Sequence, residues 1–293
     1  MAWKAYRLVY EAKSPVHIGW HTLGYIKLTR YYITGKSMWG AMTANLTRAG
    51  QDSDPAAYKK WGDLLCTDVL VSYFYPALDR DSPLLPEFTD TGLKYGGCTA
   101  SDFERLFIKS FGQTAVVPQT NTAEDETLHE SEYISHMVND GEKQQSVYFV
   151  GYVFIRDEAT YNNDKVDWAY IKDAVSELFV GGDRKYGWGR LKLHNEPERE
   201  EPQSHIFGCQ LSEKNNSSAP ILEVAADTFL PAHLAVSSNC KLRGDIEPLV
   251  GREWTSKGAG QKIKGSTLCW MPGSIMVEGE PLKIKPYGVL DRV

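Results

Sequence analysis

The chain has 293 residues, enough for one large domain or two of about 100 to 150 residues each. Its composition is ordinary, and no run of about 18 apolar residues could cross a membrane. The first residues also lack the apolar block of a secretory signal, so we expect a cytoplasmic protein with no membrane partner. The formal net charge of −6 argues on its own against nucleic-acid binding.

The charges are nevertheless segregated along the chain. Residues 1–50 hold seven Lys or Arg against a single acid, Glu11, whereas residues 121–142 hold seven acids and no base. A basic face can therefore coexist with an acidic one, although two solvated faces without a role remain an alternative. The five cysteines are scattered, with no C-x-x-C pair, and we expect neither a metal ion nor a cofactor.

The first third of the chain predicts a strand, a loop and a helix. Residues 4–12 alternate between apolar and polar side chains, which indicates a half-buried strand. A loop follows, and a helix is predicted to begin at Gly35-Lys36-Ser37 with Ser37 as its N-cap. Lys36 beside the free amides of the first turn predicts an anion site.

The middle of the chain is less regular. Residues 50–127 resemble an insertion, and two alternating runs, 128–137 and 147–156, predict a hairpin around the turn at 139–141. A helix is predicted from 168 to 180 behind Asp167 as N-cap, with Gly181 ending it.

Residues 179–190 carry the chemistry of a nucleic-acid loop. Glycines let the backbone approach a ligand, cations attract phosphates, and flat rings stack on unpaired bases. The loop combines all three: Gly181, Gly182, Gly187 and Gly189 with Arg184, Lys185, Arg190, Tyr186 and Trp188. A glycine turn that only packs a helix on a sheet is the alternative.

The order of these elements predicts an α+β fold, β-α-β-β-α-β, which is the ferredoxin-like or RRM-like arrangement. This domain covers 1–195 with the insertion at about 50–127, and its sheet face is a platform for single-stranded RNA. A charged linker at 196–204 leads to a smaller β-rich domain at 205–293, for which a degenerate ferredoxin-like fold is one alternative. Its central loop is basic, with Arg252, Trp254, Lys257, Lys262 and Lys264.

Three separated stretches resemble one family, the RAMP (repeat-associated mysterious protein) superfamily of CRISPR effector subunits. Residues 14–19 (Ser-Pro-Val-His-Ile-Gly) look like the motif after its first strand, residues 33–41 like its first-helix motif, and residues 181–190 like its glycine-rich loop. The further 103 residues after Arg190, with the stretches 249–254 and 271–274, resemble the subunit that caps the five-prime handle of the guide RNA in type III complexes.

The resemblance implies a non-catalytic RNA-binding subunit in antiviral defence. Its partners would be the guide RNA (crRNA), nearby target RNA, the large subunit and the backbone RAMP subunits. Backbone subunits that cut RNA use an aspartate between the first strand and the first helix, but residues 13–37 contain no acid. The implied RNA-binding residues are those of the two loops named above, together with His17, Gly19, Gly35, Lys36 and Ser37.

Three alternatives remain open at this point. The chain could be a backbone RAMP subunit that lies along the guide. It could be a metal-independent guide-processing endoribonuclease with His17 or His21 as general base. It could also be a protein-only scaffold whose basic surfaces meet acidic faces of other subunits.

Overall fold

The computed structural model describes residues 2–50, 55–139, 141, 143–212, 218–237, 241–255 and 258–293, with the backbone alone for residue 55 and for 252–265. The helices are α1 (Gly35–Ala49), α2 (Pro55–Thr67), α3 (Ala100–Phe107) and α4 (Trp168–Val175), with short 3-10 turns at Arg184–Tyr186 and Pro286–Gly288. The mixed α+β class is confirmed.

The described strands before residue 195 are β1 (Trp3–Ala12), β2 (Gly19–Leu23), β3 (Ile26–Thr29), β4 (Val69–Val71), β5 (Tyr75–Ala77), β6 (Pro86–Thr89), β7 (Gly92–Tyr95), β8 (Cys98–Thr99), β9 (Ile108–Gln113), β10 (Val116–Val117), β11 (Thr122–Ala123), β12 (His129–Ile134), β13 (Met137–Asn139), β14 (Gln144–Ser146), β15 (Tyr148–Arg156), β16 (Thr160–Tyr161), β17 (Asp164–Lys165), β18 (Glu177–Phe179) and β19 (Arg190–Leu193). Those after it are β20 (Glu198–Glu200), β21 (His205–Ile206), β22 (Cys209–Leu211), β23 (Ile221–Val224), β24 (Leu234–Ala235), β25 (Leu242–Arg243), β26 (Ile246–Thr255), β27 (Gly258–Trp270), β28 (Ile275–Met276), β29 (Glu280–Ile284) and β30 (Leu290–Arg292).

A central antiparallel sheet has the strand order β18-β19-β1-β15-β4, with β5 also on β15 and β20 also on β1. One of its faces carries the helices. Leu8 and Tyr10 of β1 pack there against Met38 of α1 and Ile171 of α4, all fully buried. Burying such side chains contributes about 1.5–3 kcal/mol each, so this layer is the main core.

The opposite face of the central sheet is covered by the second half of the chain. Ala5, Leu70 and Phe154 of the sheet share one core with Leu222 and Leu282 from the eight-stranded sheet β21-β22-β23-β29-β30-β24-β27-β26. The expectation that this face is an open platform for RNA is therefore wrong where the two sheets meet. The aromatic side chains of the face serve as core.

Two segments belong to the central sheet although the sequence placed them elsewhere. β4 and β5 pair with β15, inside the predicted insertion 50–127, and β20 pairs with β1, inside the predicted linker 196–204. Both corrections have one cause. Strands of three residues are too short for a period of two to stand out, and pairing with a long neighbour stabilises them.

The predicted hairpin between 128–137 and 147–156 does not form as such. β12 pairs with β9 and β3, while β15 pairs with β1 over nine residues. The short strands β13 and β14 make the hairpin instead. Its turn keeps Gly141 at φ +85°, in the left-handed region that glycine adopts without strain.

The predicted N-cap is confirmed for one of the two helices beside the sheet and is wrong for the other. Asp167 caps α4 as predicted, accepting a hydrogen bond from the Tyr170 amide. For α1 the cap is Thr34 and not Ser37, because the Ser37 amide is itself the donor to Thr34 Oγ1. The predicted extension of α4 to residue 180 is wrong, since the helix ends at Val175 and β18 follows.

We expect Gly151→Ala to lower the free energy of unfolding by about 1–3 kcal/mol, the usual cost of overpacking a core. A Cβ at Gly151 would lie 2.5 Å from the ring of Phe74, which is fully buried. The matched control is Gly112→Ala in β9, where a Cβ meets nothing within 4 Å. Urea unfolding should show a lower midpoint with an unchanged m-value for Gly151→Ala alone. Equal midpoints in the two variants would contradict the packing.

Candidate nucleic-acid interface

The glycine loop is the turn of a hairpin between β18 and β19 that packs on the segment after β1. Gly181 (φ +73°) and Gly189 (φ +82°) adopt the left-handed region. A Cβ at Gly181 would lie 2.0 Å from the carbonyl oxygen of His17, and one at Gly189 would lie 1.9 Å from that of Val180. These two glycines are therefore required for close packing of the protein on itself.

The loop amides are largely used within the protein. The Gly182 amide donates to the His17 carbonyl at 2.9 Å, and the Gly189 amide donates to the Pro15 carbonyl at 2.7 Å. These two amides are therefore not free to bind a phosphate. The hydrogen bonds do bring the predicted segments 14–19 and 181–190 together.

The side chains of the loop divide into two groups. Arg184, Lys185 and Tyr186 are exposed, Tyr186 to 64%, as is Gly187. Trp188 is only 8% exposed and packs edge-on against Tyr133 at 4.9 Å, so it cannot stack on a base. Arg190 makes a two-pronged ion pair with Glu177 at 2.9 and 3.1 Å.

His17 lies between the glycine loop and a groove. Its Nδ1 donates to the Glu132 carbonyl at 2.6 Å, because a carbonyl can only accept. The ring is buried, and a Cβ at the exposed Gly19 would lie 3.6 Å from Nε2. In the neutral form of the ring this hydrogen bond places the proton on Nδ1 and leaves Nε2 as the acceptor.

The start of α1 is closed by the chain's last segment. A Cβ at Gly35 would lie 2.3 Å from the Tyr287 carbonyl oxygen, so this glycine serves packing. The Lys36 ammonium lies 5.7 Å over the Tyr287 ring. Burial lowers the pKa of Lys36 from its ordinary value, which means that its charge is incompletely hydrated. A phosphate at this place would compensate for the lost water.

An open groove of about 930 Å³ lies between these segments. Its walls are residues 17–22, the start of α1, residues 248–251 of β26, and the ring of Tyr287. It contains the predicted residues His17, Gly19, Lys36 and Ser37, and the side chains of the glycine loop lie outside it. Among the described residues that line it, none is Asp or Glu.

Several lining residues were missed by the sequence analysis. They are Trp20, Lys27, Arg30 and Tyr287, while His21 was named only as a candidate general base. The basic stretch 1–50 includes Lys27 and Arg30, and Trp20 directly follows Gly19, so a signal existed for three of the four. Tyr287 had none, because it reaches the groove from the far end of the chain.

A buried polar network lies beneath the groove. Arg30 donates from both terminal nitrogens to the Glu247 carboxylate at 2.6 and 3.0 Å. His233 Nε2 contacts Glu247 Oε1 at 2.5 Å, and His233 Nδ1 contacts the Tyr73 hydroxyl at 2.7 Å. Trp20 Nε1 donates to the second carboxylate oxygen at 2.8 Å.

The pKa shifts assign the charges in this network. Burial alone would raise the pKa of Glu247, but hydrogen bonds from His233 and Arg30 and the Arg30 charge hold it at about 2. Burial lowers the pKa of His233, which is therefore neutral and donates from Nε2 while Tyr73 donates to Nδ1. The network thus consists of one cation, Arg30, one anion, Glu247, and the neutral His233, which bridges Glu247 and Tyr73.

The predicted RNA-binding side chains of the second half lie outside the described residues. They are Arg252, Trp254, Lys257, Lys262 and Lys264. The backbone around them, apart from residues 256 and 257, forms the strands β26 and β27. β26 also supplies residues 248–251 to the groove.

No family model matches the chain, and no curated protein matches it. The chain is similar in structure to one in "Type III-B Cmr-beta bound to cognate target RNA and AMPPnP, state 1", with a TM-score of 0.56 and 10% identity over 92% of this chain and 85% of that one. A second cryo-EM structure, of Cmr-beta bound to cognate target RNA, gives a TM-score of 0.51 and 10% identity over 92% of this chain and 86% of that one. Oligomeric Cmr4 from Pyrococcus furiosus gives a TM-score of only 0.33, at 12% identity over 68% of this chain and 100% of that one. A score this low does not establish a shared fold.

At 10% identity the likeness establishes a shared fold and nothing finer. None of the described helices is both long and apolar enough to span a membrane. In the described part of the chain, no three His, Cys, Asp or Glu side chains converge in the way that a bound metal ion would need.

Proposed function

We propose that the chain is a guide-RNA-binding subunit of a type III CRISPR ribonucleoprotein, and that the groove is its RNA site. Two of the structures that share its fold are described as bound to cognate target RNA. The strand order β19-β1-β15-β4, with α1 and α4 on one face, supports a ferredoxin-like frame for the first half.

The observation that carries the proposal is the composition of the groove. Lys27 and Lys36 bring positive charge to its walls, whereas the charge of Arg30 is already paired with Glu247. Trp20 and Tyr287 bring flat rings, and the described lining has no carboxylate side chain. Phosphates and unpaired bases need this combination. In a protein with a net charge of −6, cations without competing acids in one concave place favour an anionic ligand.

We propose the end of the complex, at the five-prime handle, as the place of this subunit. The proposal rests on the sequence resemblance of residues 249–254, part of which, 249–251, lines the groove. A backbone position along the guide is the second candidate.

We also propose that the subunit does not cut RNA. Residues 13–37 hold no acid that could bind a catalytic metal ion. His17 is buried and its Nδ1 is bound to the Glu132 carbonyl, as expected of a positioning residue between two loops. In the endoribonuclease alternative, the purified protein would cut repeat RNA without metal and His17→Ala would abolish the cut. We expect no cleavage of repeat RNA by the wild-type protein or by His17→Ala.

The direct test is to purify the protein with its complex in moderate salt and to sequence the RNA that accompanies it. We expect an absorbance ratio typical of a ribonucleoprotein and RNA species that begin with one common handle. A complex that assembles free of RNA would contradict the proposal and favour the scaffold alternative.

A further inference from the structure

Trp20 stands out among the exposed side chains because its ring is both accessible and fixed. The residue is 41% exposed and lines the groove, yet its Nε1 donates to buried Glu247. Its ring lies 4.5 Å from that of His21, and the Arg30 guanidinium lies 5.9 Å from its centroid. An exposed tryptophan would ordinarily sample several rotamers.

The fixing group is unusual for a surface aromatic. Glu247 is 5% exposed and is bound by Arg30 and His233 at the same time. One edge of the indole is thereby tied to a buried carboxylate that cannot move without breaking the network. A ring held in its binding position loses little conformational entropy when a ligand arrives, which increases affinity.

The groove also has the size and charge for the ligand that such a ring would stack on. Its volume of about 930 Å³ lies within the range of sites for small ligands, about 300–1,000 Å³. One or two unpaired nucleotides fall within that range of ligand size. Lys27 and Lys36 are the cations available for the adjoining phosphates.

We propose that Trp20, supported by His21, is the stacking platform for an unpaired nucleobase in the groove, and that the Arg30–Glu247–His233 network holds its ring in place. This inference rests on the proposed function and adds to it. The groove binds single-stranded RNA with a splayed base, and the network beneath acts as a positioning device. Trp20 touches the base; Glu247 acts through Trp20.

The test uses fluorescence anisotropy with single-stranded RNA probes. They are an oligoadenylate of twelve nucleotides and a series of the same oligomer with one abasic ribose at each position in turn. Trp20→Ala should weaken binding of the intact oligomer by about fivefold to a hundredfold, from one lost stack. Its salt dependence should not change, because stacking releases no counterions. Tyr170→Ala, at 43% exposure on α4 and outside the groove, is the matched control and should bind as the wild type.

Two further comparisons separate stacking from simple structural damage. Trp20→Phe keeps a flat ring but has no donor for Glu247, so its affinity should fall between those of the wild type and Trp20→Ala. In the wild type, the abasic ribose should weaken binding at one or two positions of the oligomer. In Trp20→Ala the same abasic probes should bind as the intact oligomer does.

The outcomes distinguish this inference from the proposed function. If the wild type binds RNA and Trp20→Ala binds equally well, the stacking platform is wrong and the RNA site survives. If no abasic position affects the wild type, the platform is equally refuted. If the wild type binds no RNA in the complex or alone, both proposals fall together.

Discussion

Glu247→Gln is expected to lower the free energy of unfolding by about 3–5 kcal/mol, the cost of leaving a buried charge without its partner. The Arg30 and Glu247 side chains are 10% and 6% exposed, and both terminal nitrogens of the guanidinium donate to this one carboxylate. The substitution removes the negative charge with almost no change of volume. Denaturant unfolding measures the loss, and Asp63→Asn in the exposed Lys59–Asp63 pair of α2 is the control, at about 0–1 kcal/mol.

A double-mutant cycle distinguishes the ion pair from general damage to the core. Arg30→Met removes the cation, so the double variant Arg30→Met with Glu247→Gln leaves no unpaired charge. Its cost should be clearly smaller than the sum of the two single costs. Strict additivity would mean that Arg30 and Glu247 do not depend on each other, against the geometry.

The same network sets the direction of the pH dependence. Glu247 has a pKa of about 2 when folded against an ordinary 4.5, so the unfolded chain takes up its proton first as the pH falls. The stability that Glu247 contributes is therefore complete above about pH 5 and is lost on the way down to about pH 2. The lowered pKa of His233 adds a loss of the same sign below its ordinary value of 6.5. Glu247→Gln should flatten the acid side of the profile.

The long elements of the fold could be predicted from the sequence. β1 and β15 are strands of ten and nine residues whose pattern stands out, and α1 has Met38, Met42 and Leu46 buried at helical spacing. The short strands β4, β18 and β20 could not be predicted, because three residues carry too little pattern. Leu178 fits the buried side of a helix and of a strand equally well, and pairing with β19 decides for the strand.

The candidate site could be predicted only in part, because only some of its contacts are reflected in local sequence patterns. Local motifs indicated the segments 14–19, 35–37 and 181–190, and the structure joins the first to each of the others. Sequence alone could not tell that Trp188 turns inwards or that the exposed Arg190 pairs with Glu177, so both were expected to be free. Trp20 and Glu247 are 227 positions apart, and no local pattern reveals a hydrogen bond over that separation.

The cations of the groove should account for a measurable share of RNA affinity. Neither Lys27 nor Lys36 makes an ion pair within the described part of the chain, so both charges are available to phosphates. Lys27→Gln with Lys36→Gln should weaken single-stranded RNA binding by about tenfold near 0.15 M salt, from two lost phosphate contacts. Lys165→Gln, on the exposed hairpin β16–β17, removes the same charge away from the groove and is the control.

The salt dependence of RNA binding is the most direct test that the groove is the RNA site. A plot of log affinity against log salt concentration for the wild type, the groove variant Lys27→Gln with Lys36→Gln, and Lys165→Gln compares the three on one scale. We expect the slope of the groove variant to be shallower by about 1.4, about 0.7 for each phosphate, and that of Lys165→Gln to match the wild type. Three parallel lines would show that RNA binds elsewhere on the protein.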